Sequence, residues 1–190
     1  MEAKDYILAS GSAQRLELLK QIFYAPKDIK TADIDETPHK GEKPSAYVKR
    51  MALEKAQKVA SQNKGKVVLA ADTIVVVNTK IIQKANSPAE QEEVMQLLSG
   101  RAHKVLSALC VIDRDGKKSL KLSTSRVLTK KLTQAEIKSY VASNEWVGSS
   151  GYKIDGLLAG FVKKIIGTQS SIIGLPLYEA RNMLISAGVK

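Results

Sequence analysis

The sequence predicts an α/β fold of the mixed α+β kind, one β-sheet flanked by helices. Three observations carry this expectation. Runs rich in Val, Ile and Leu alternate with segments whose apolar residues recur at helical spacing. The stretch "DRDGK" sets an Asp-Gly pair between two β-rich runs, which marks an antiparallel hairpin. Hydrophobic residues make up 44% of the 190 positions, enough to bury a core, and the length suits one domain over residues 1–190.

The elements follow in order. "DYILAS" reads as a buried strand. "AQRLELLKQIF" reads as a helix with Leu16, Leu19, Ile22 and Phe23 on one stripe, and Pro26 helps end it. "IKTADIDETP" reads as a second short strand running into a polar loop. A long helix begins near Pro44, a favourable first-turn residue. Its apolar face is Val48, Met51, Ala52, Ala56 and Val59, with Arg50, Glu54 and Lys55 beside that face.

"KVVLAADTIVVVNTKII" is a β-rich run with Asn78-Thr79 as its turn. "SPAEQEEVMQLLSG" carries a full set of helix signals: Ser87 to cap, Pro88 at the first position, acids in the first turns and Gly100 at the end. "HKVLSALCVI" and "KSLKLSTSRVLTKKL" are the hairpin strands on either side of "DRDGK". "TQAEIKSYVASN" is a capped helix, "GFVKKIIG" a strand, and "LPLYEARNMLISAG" a closing helix with Gly188 as its stop. The sequence shows no repeat and no low-complexity tract.

Composition excludes several classes. No apolar run approaches the ~18 residues of a membrane span, and the N-terminal apolar stretch is too short for a signal peptide. The single cysteine, Cys110, lies in an apolar run and reads as a small buried hydrophobe, which with the missing targeting signals predicts a cytoplasmic protein. The net charge is +11, from 30 Lys and Arg against 19 Asp and Glu, and it attracts polyanions in general. Lysines are spread along the chain and no aromatic residues interleave with a basic cluster, so no specific nucleic-acid partner is expected.

Chemistry concentrates in a few places. Asp72 and Thr73 interrupt the apolar run "AADTIVVV". A carboxylate there is costly unless paired, hydrogen-bonded or metal-bound, so Asp72 either sits at a strand end on backbone amides or serves a site. "DIDETP" adds Asp33, Asp35 and Glu36, oxygen ligands of a type that suits Mg²⁺, or a plain solvated turn. "LASGSAQRLELL" passes from strand through Ser10-Gly11-Ser12 into a helix with Arg15 in its first turn, where free amides and the dipole favour an anion. Lys55 and Lys84 are further basic candidates. The stretch is not a P-loop, there is no Cys/His cluster at zinc spacing, no serine-hydrolase elbow and no dinucleotide fingerprint.

Six stretches, "LASGSAQRLELL", "DIDETP", "ALEKA", "AADTIVVV", "LSGRAHKV" and "FVKKIIGTQSSIIGLPL", together resemble the Maf family of nucleotide pyrophosphatases, in that family's order from about residue 7 to 178. The resemblance implies a two-lobed mixed sheet with a central cleft, related to the house-cleaning inosine-triphosphate pyrophosphatases. It implies hydrolysis of nucleoside triphosphates, pyrimidine or modified, to the monophosphate and pyrophosphate with a divalent cation, Mg²⁺ or Mn²⁺. Carried over by position, Asp72 matches the proton acceptor for the attacking water and Glu36 an acid near the metal, which Asp72 shares. Arg15, Lys55 and Lys84 match cations that hold the phosphate chain, and Ser10 and Ser12 match the first-loop serines. A homodimer follows by the same analogy, and some members are linked to arrest of septum formation.

The chain departs from the family pattern at several points. Ala13 replaces a proline and Gln14 stands at the first variable position. Asp155 in "GYKIDG" stands where the thymidine- and uridine-directed members carry glutamine, whereas Thr73 agrees with them. Gln14, Thr73 and Asp155 are the positions tied to base choice; an acidic residue prefers donors, such as an amino group. "EWVGSSGY" lacks the Lys-Ala-Gly common before this glycine-rich loop, which removes one basic contact, and Ala85 replaces a proline after Lys84. The alternative to an enzyme is a non-catalytic nucleotide- or nucleic-acid-binding regulator of cell division.

Overall fold

In a computed structural model that describes residues 2–190, the chain runs β1 (Lys4–Leu8), α1 (Ala13–Gln21), β2 (Pro26–Ile29), α2 (Pro44–Ser61), β3 (Val68–Val77), β4 (Lys80–Ile82), α3 (Pro88–Leu98), β5 (Ala102–Ile112), β6 (Lys118–Thr129), α4 (Gln134–Ala142), a 3-10 turn at Leu157–Phe161, β7 (Val162–Ile166), α5 (Gln169–Ile173) and α6 (Leu177–Ser186). The strands form one mixed sheet in the order β2-β1-β3-β5-β6-β7, with β4 also paired to β3. β1 runs parallel to β2 and β3, and every other pairing is antiparallel. The mixed sheet predicted from the alternation of elements is the one observed.

Strand alternation sorts β3 into two faces. Val68, Ala70, Ile74 and Val76 join Val48, Met51, Ala52, Ala56 and Val59 of α2 in one core cluster, the helical face read from the sequence. Leu69 and Ala71 join Leu18 and Leu19 of α1 and Ala180, Met183 and Leu184 of α6 in another. A third cluster gathers Val75 and Val77 with Met95 and Leu98 of α3 and Ile137 and Tyr140 of α4. Each fully buried Val, Leu, Ile or Met side chain in these clusters contributes roughly 1.5–3 kcal/mol relative to exposure.

The helix starts follow the local chemistry. Ser12 accepts from Arg15 N, Ser87 from Glu90 N, and Thr133 with Glu136 forms a capping box. Two expectations need correction. The α1 stripe ends early: Leu18 and Leu19 are buried, whereas Phe23 is 63% exposed in the left-handed region at φ 59°. Phe23 turns the chain back on itself, and Tyr24 N donates to Leu19 O at 2.9 Å. The second strand lies earlier than "IKTADIDETP" suggests. It pairs with β1 from Lys4↔Pro26 to Leu8↔Ile29, and β1 has no backbone left to pair with residues beyond 30. The 3-10 turn and α5, five residues each, are too short to show a period in sequence.

The pairing of β3 opens a gap that positions the site. One edge is paired with β5 without interruption from Val68 to Val76. The other edge pairs with β1 at Val68 and Leu69 and with β4 at Val75 to Val77. Among the described residues, 70–74 have no strand partner on that edge, and Asp72 and Thr73 stand in the middle of the gap.

Candidate active site

Asp72 keeps the even-numbered phase of β3, so it faces α2. There Lys55 Nζ donates to Asp72 Oδ1 at 2.7 Å and lies 2.9 Å from Glu36 Oε1. Asp72 is 8% exposed; its Oδ2 takes no hydrogen bond from the described residues and is not sealed from solvent. The costly carboxylate of the sequence is thus paired with a cation and opens on the gap in the sheet. The loop that brings Glu36 is also held to α2 by Tyr47 and Arg50. Tyr47 Oη donates to Glu36 O at 2.8 Å, and Arg50 grips Glu42 through Nε and Nη2 at 2.8 and 2.7 Å. That fork holds the Glu42 carboxyl down at about 2, well below its ordinary value.

Thr73 takes the opposite face. It stands directly across from Ser107 of β5, and the two hydroxyls share a 2.8 Å hydrogen bond. Thr73 Oγ1 also donates to Gly174 O at 3.3 Å, and Arg15 Nε donates to the same carbonyl at 2.9 Å. Arg15 Nη1 donates to Ser10 Oγ at 3.0 Å, and Ser12 N donates to the same hydroxyl at 3.2 Å. The Ser-Gly-Ser turn therefore fastens the arginine of its own helix. Burial pulls the Arg15 guanidinium below its ordinary pKa, while the charges of Asp72 and Glu36 push it up; it remains a cation.

These groups line one cleft of two adjoining volumes, about 610 and about 580 Å³. Ser12, Gln14, Arg15, Glu36, Lys55 and Lys84 line both. Asp72, Thr73 and Asp155 line the first and Ser10 the second, so every site residue read from the sequence reaches the cleft. Of the acidic loop only Glu36 does so; Asp35 instead accepts from its own Thr37 N at 2.9 Å.

Other lining residues had no part in the sequence reading: Tyr47, Asn86, Ser149 and Lys153. Lys153 lines both volumes, so the loop expected to lose a basic contact brings a cation after all. The spacing of Lys153 and Asp155 in "GYKIDG", two residues apart, was the available signal. Cys110 is buried, and burial pushes its thiol up to about 11, as the apolar run implied.

A cleft with two converging carboxylates on one side and Arg15, Lys84 and Lys153 around it suits an extended polyanion with charge to be neutralised along its length. Among the described residues no group of three His, Cys, Asp or Glu side chains converges as a self-sufficient metal centre. Asp72 and Glu36, both reaching one ammonium, fit a Mg²⁺-type ion that takes one or two protein carboxylates and fills its remaining positions from phosphate and water. Among the described residues no helix is long and apolar enough to cross a membrane.

Known proteins resemble this chain along nearly its whole length. A family model described as Maf-like protein matches residues 5–187. The chain is 46% identical over 187 residues to a dTTP/UTP pyrophosphatase of Zymomonas mobilis, covering 98% of this chain and 93% of that protein. It is 44% identical over 185 residues to a dTTP/UTP pyrophosphatase of Caulobacter vibrioides, covering 97% and 96%. A HAM1 protein from Coxiella burnetii shares the fold at 15% identity, with a TM-score of 0.54 over 98% of this chain and 100% of that one.

Proposed function

From the premise that the chain belongs to the Maf-like family, we propose that it hydrolyses pyrimidine nucleoside triphosphates to the nucleoside monophosphate and pyrophosphate. The observation that carries this reading is Asp72: a carboxylate with one oxygen held by Lys55 and the other open, at the break in the sheet edge and inside a cleft rimmed by cations.

Each residue then has a task. Asp72 Oδ2 accepts a proton from water as the water oxygen bonds to the α-phosphorus. The bond from that phosphorus to the oxygen bridging to the β-phosphate breaks, and pyrophosphate leaves with the electron pair. Lys55 fixes the orientation of Asp72 and keeps its other oxygen occupied. Arg15, clamped by Ser10 and Gly174, meets the phosphate chain without needing to reorganise. Lys84, which lines both volumes of the cleft, adds a cation. Asp72 and Glu36 would hold a divalent cation, Mg²⁺ or Mn²⁺, which supplies charge neutralisation on the phosphates when bound.

Of the three positions tied to base choice, Gln14 and Asp155 supply it. The Thr73 hydroxyl is already engaged by Ser107 and Gly174 O, which leaves Gln14 and Asp155 as the free polar readers. A carboxylate at Asp155 accepts from an amino group and favours cytosine over thymine or uracil.

The test is pyrophosphate release from UTP, dTTP, CTP and purine triphosphates with Mg²⁺ or Mn²⁺. Wild-type release from pyrimidine substrates well above an Asp72→Asn control is expected. No release above that control overturns the reading.

A further inference from the structure

Three side chains from three elements hold one short segment, two of them by its backbone and the third by the Tyr152 side chain. Gln91 of α3, fully buried, donates from Nε2 to Gly151 O at 2.8 Å. His103 of β5, 2% exposed, shares a 2.6 Å hydrogen bond between Nε2 and the Tyr152 hydroxyl, with the two rings edge-on and 5.3 Å between centroids. The Tyr140 hydroxyl of α4 accepts from Lys153 N at 3.0 Å. Residues 151, 152 and 153 are thus tied in succession to a helix, a strand and a second helix.

Burying polar groups is costly unless they are bonded, and a buried polar set that is bonded fixes one geometry. His103 shows what that geometry is for. Its Nδ1 has no partner among the described residues, so the bond to Tyr152 is the one hydrogen bond its ring makes. Burial lowers the imidazole to about 4, so the ring is neutral at neutral pH and serves Tyr152 as an uncharged partner.

The pinned stretch ends in Lys153. Its ammonium has no carboxylate within ion-pairing distance among the described residues, in contrast to Lys55, which meets two. Lys153 lines both volumes of the cleft, in company with Arg15 and Lys84. A lysine whose segment is tied at three successive residues, its own N–H among them, loses less freedom on gripping an anion than one on a mobile loop.

We propose that Lys153 is a substrate-binding cation for the phosphate chain, and that Gln91, His103 and Tyr140 are the residues that position it. The inference deepens the triphosphate reading and rests on it.

The experiment measures KM and kcat for pyrophosphate release, and calorimetric binding of inorganic pyrophosphate, in wild type, Lys153→Met and Lys153→Arg. Loss of a charge-assisted contact predicts a KM roughly tenfold or more higher in Lys153→Met, with pyrophosphate binding weakened to match. The change in kcat is smaller, and Lys153→Arg recovers most of the loss. His103→Phe, or Tyr152→Phe as the milder change, raises KM in the wild-type background and adds little in the Lys153→Met background. A His103 that merely supports the fold would instead cost the same in both. An unchanged KM and unchanged pyrophosphate binding in Lys153→Met overturn the inference. A wild type that hydrolyses no triphosphate yet binds pyrophosphate through Lys153 overturns the enzymatic reading and leaves the assignment of Lys153 standing.

Discussion

Lys55 Nζ lies 2.7 Å from Asp72 Oδ1, joining the long helix α2 to the central strand β3 within the cleft. Lys55 is also 2.9 Å from Glu36 Oε1, so one ammonium balances two carboxylates that a divalent cation would otherwise balance. The pair ties helix to strand.

Removing the charge of Asp72 should separate binding from turnover. Asp72→Asn is expected to lower kcat by roughly 10²–10⁴-fold, the usual contribution of a positioned base. Triphosphate affinity without added divalent cation should be retained or tighter, because Lys55 then loses one of its two competing carboxylates. Single-turnover kinetics and calorimetry read the two quantities independently. A variant that binds much more weakly than wild type contradicts this assignment.

Removing Lys55 should expose the metal preference of the two acids. Lys55→Met leaves Asp72 and Glu36 without their shared cation, at a cost of roughly 2–4 kcal/mol in stability. Millimolar Mg²⁺ or Mn²⁺ should then raise Tm more in the variant than in wild type, since ligand binding to the folded state stabilises it. Equal metal-induced shifts in the two proteins would show that these carboxylates do not form a cation site.

His103 should make the fold acid-sensitive. Its folded pKa of about 4 lies below the ordinary 6.5, so the folded state disfavours the charged ring. The stability it contributes is fully present above about pH 6.5 and is lost as pH falls toward 4, by up to about 3 kcal/mol. Urea midpoints at pH 7.5 and 4.5 should therefore diverge less in His103→Phe than in wild type. Identical divergence would mean that the acid sensitivity comes from other groups.

Asp155 should set base choice. Replacing its acceptor-only carboxylate with an amide, Asp155→Gln, supplies a donor for the carbonyl oxygens of uracil and thymine. The ratio of kcat/KM for CTP over UTP is expected to fall by roughly tenfold, a difference of the size that one hydrogen-bonded contact gives. Competition assays with mixed CTP and UTP measure that ratio directly; an unaltered ratio removes Asp155 from base recognition.

Much of the fold could be read before any coordinates. Ser12, Ser87 and Thr133 cap their helices, the apolar face of α2 is the buried one, and Asn78 and Gly116 turn in the left-handed region where hairpins were expected. Asp72 stood out because a carboxylate in an apolar strand demands an explanation. The end of α1 differs from the expectation because Phe23 obeys a helical period that the chain leaves two residues earlier, at Gln21, and β2 differs because its ladder with β1 stops at Ile29.

Helix caps, apolar periods and turn residues are decided within about four residues of chain, and these the sequence determined alone. Tertiary structure decided which groups meet: the break in β3's edge, Lys55 between two acids, Arg15 on a carbonyl 159 residues away, and residues 151, 152 and 153 held in turn by α3, β5 and α4. Those meetings depend on the order and register of strands, which follow from how all the apolar faces pack together rather than from any local stretch.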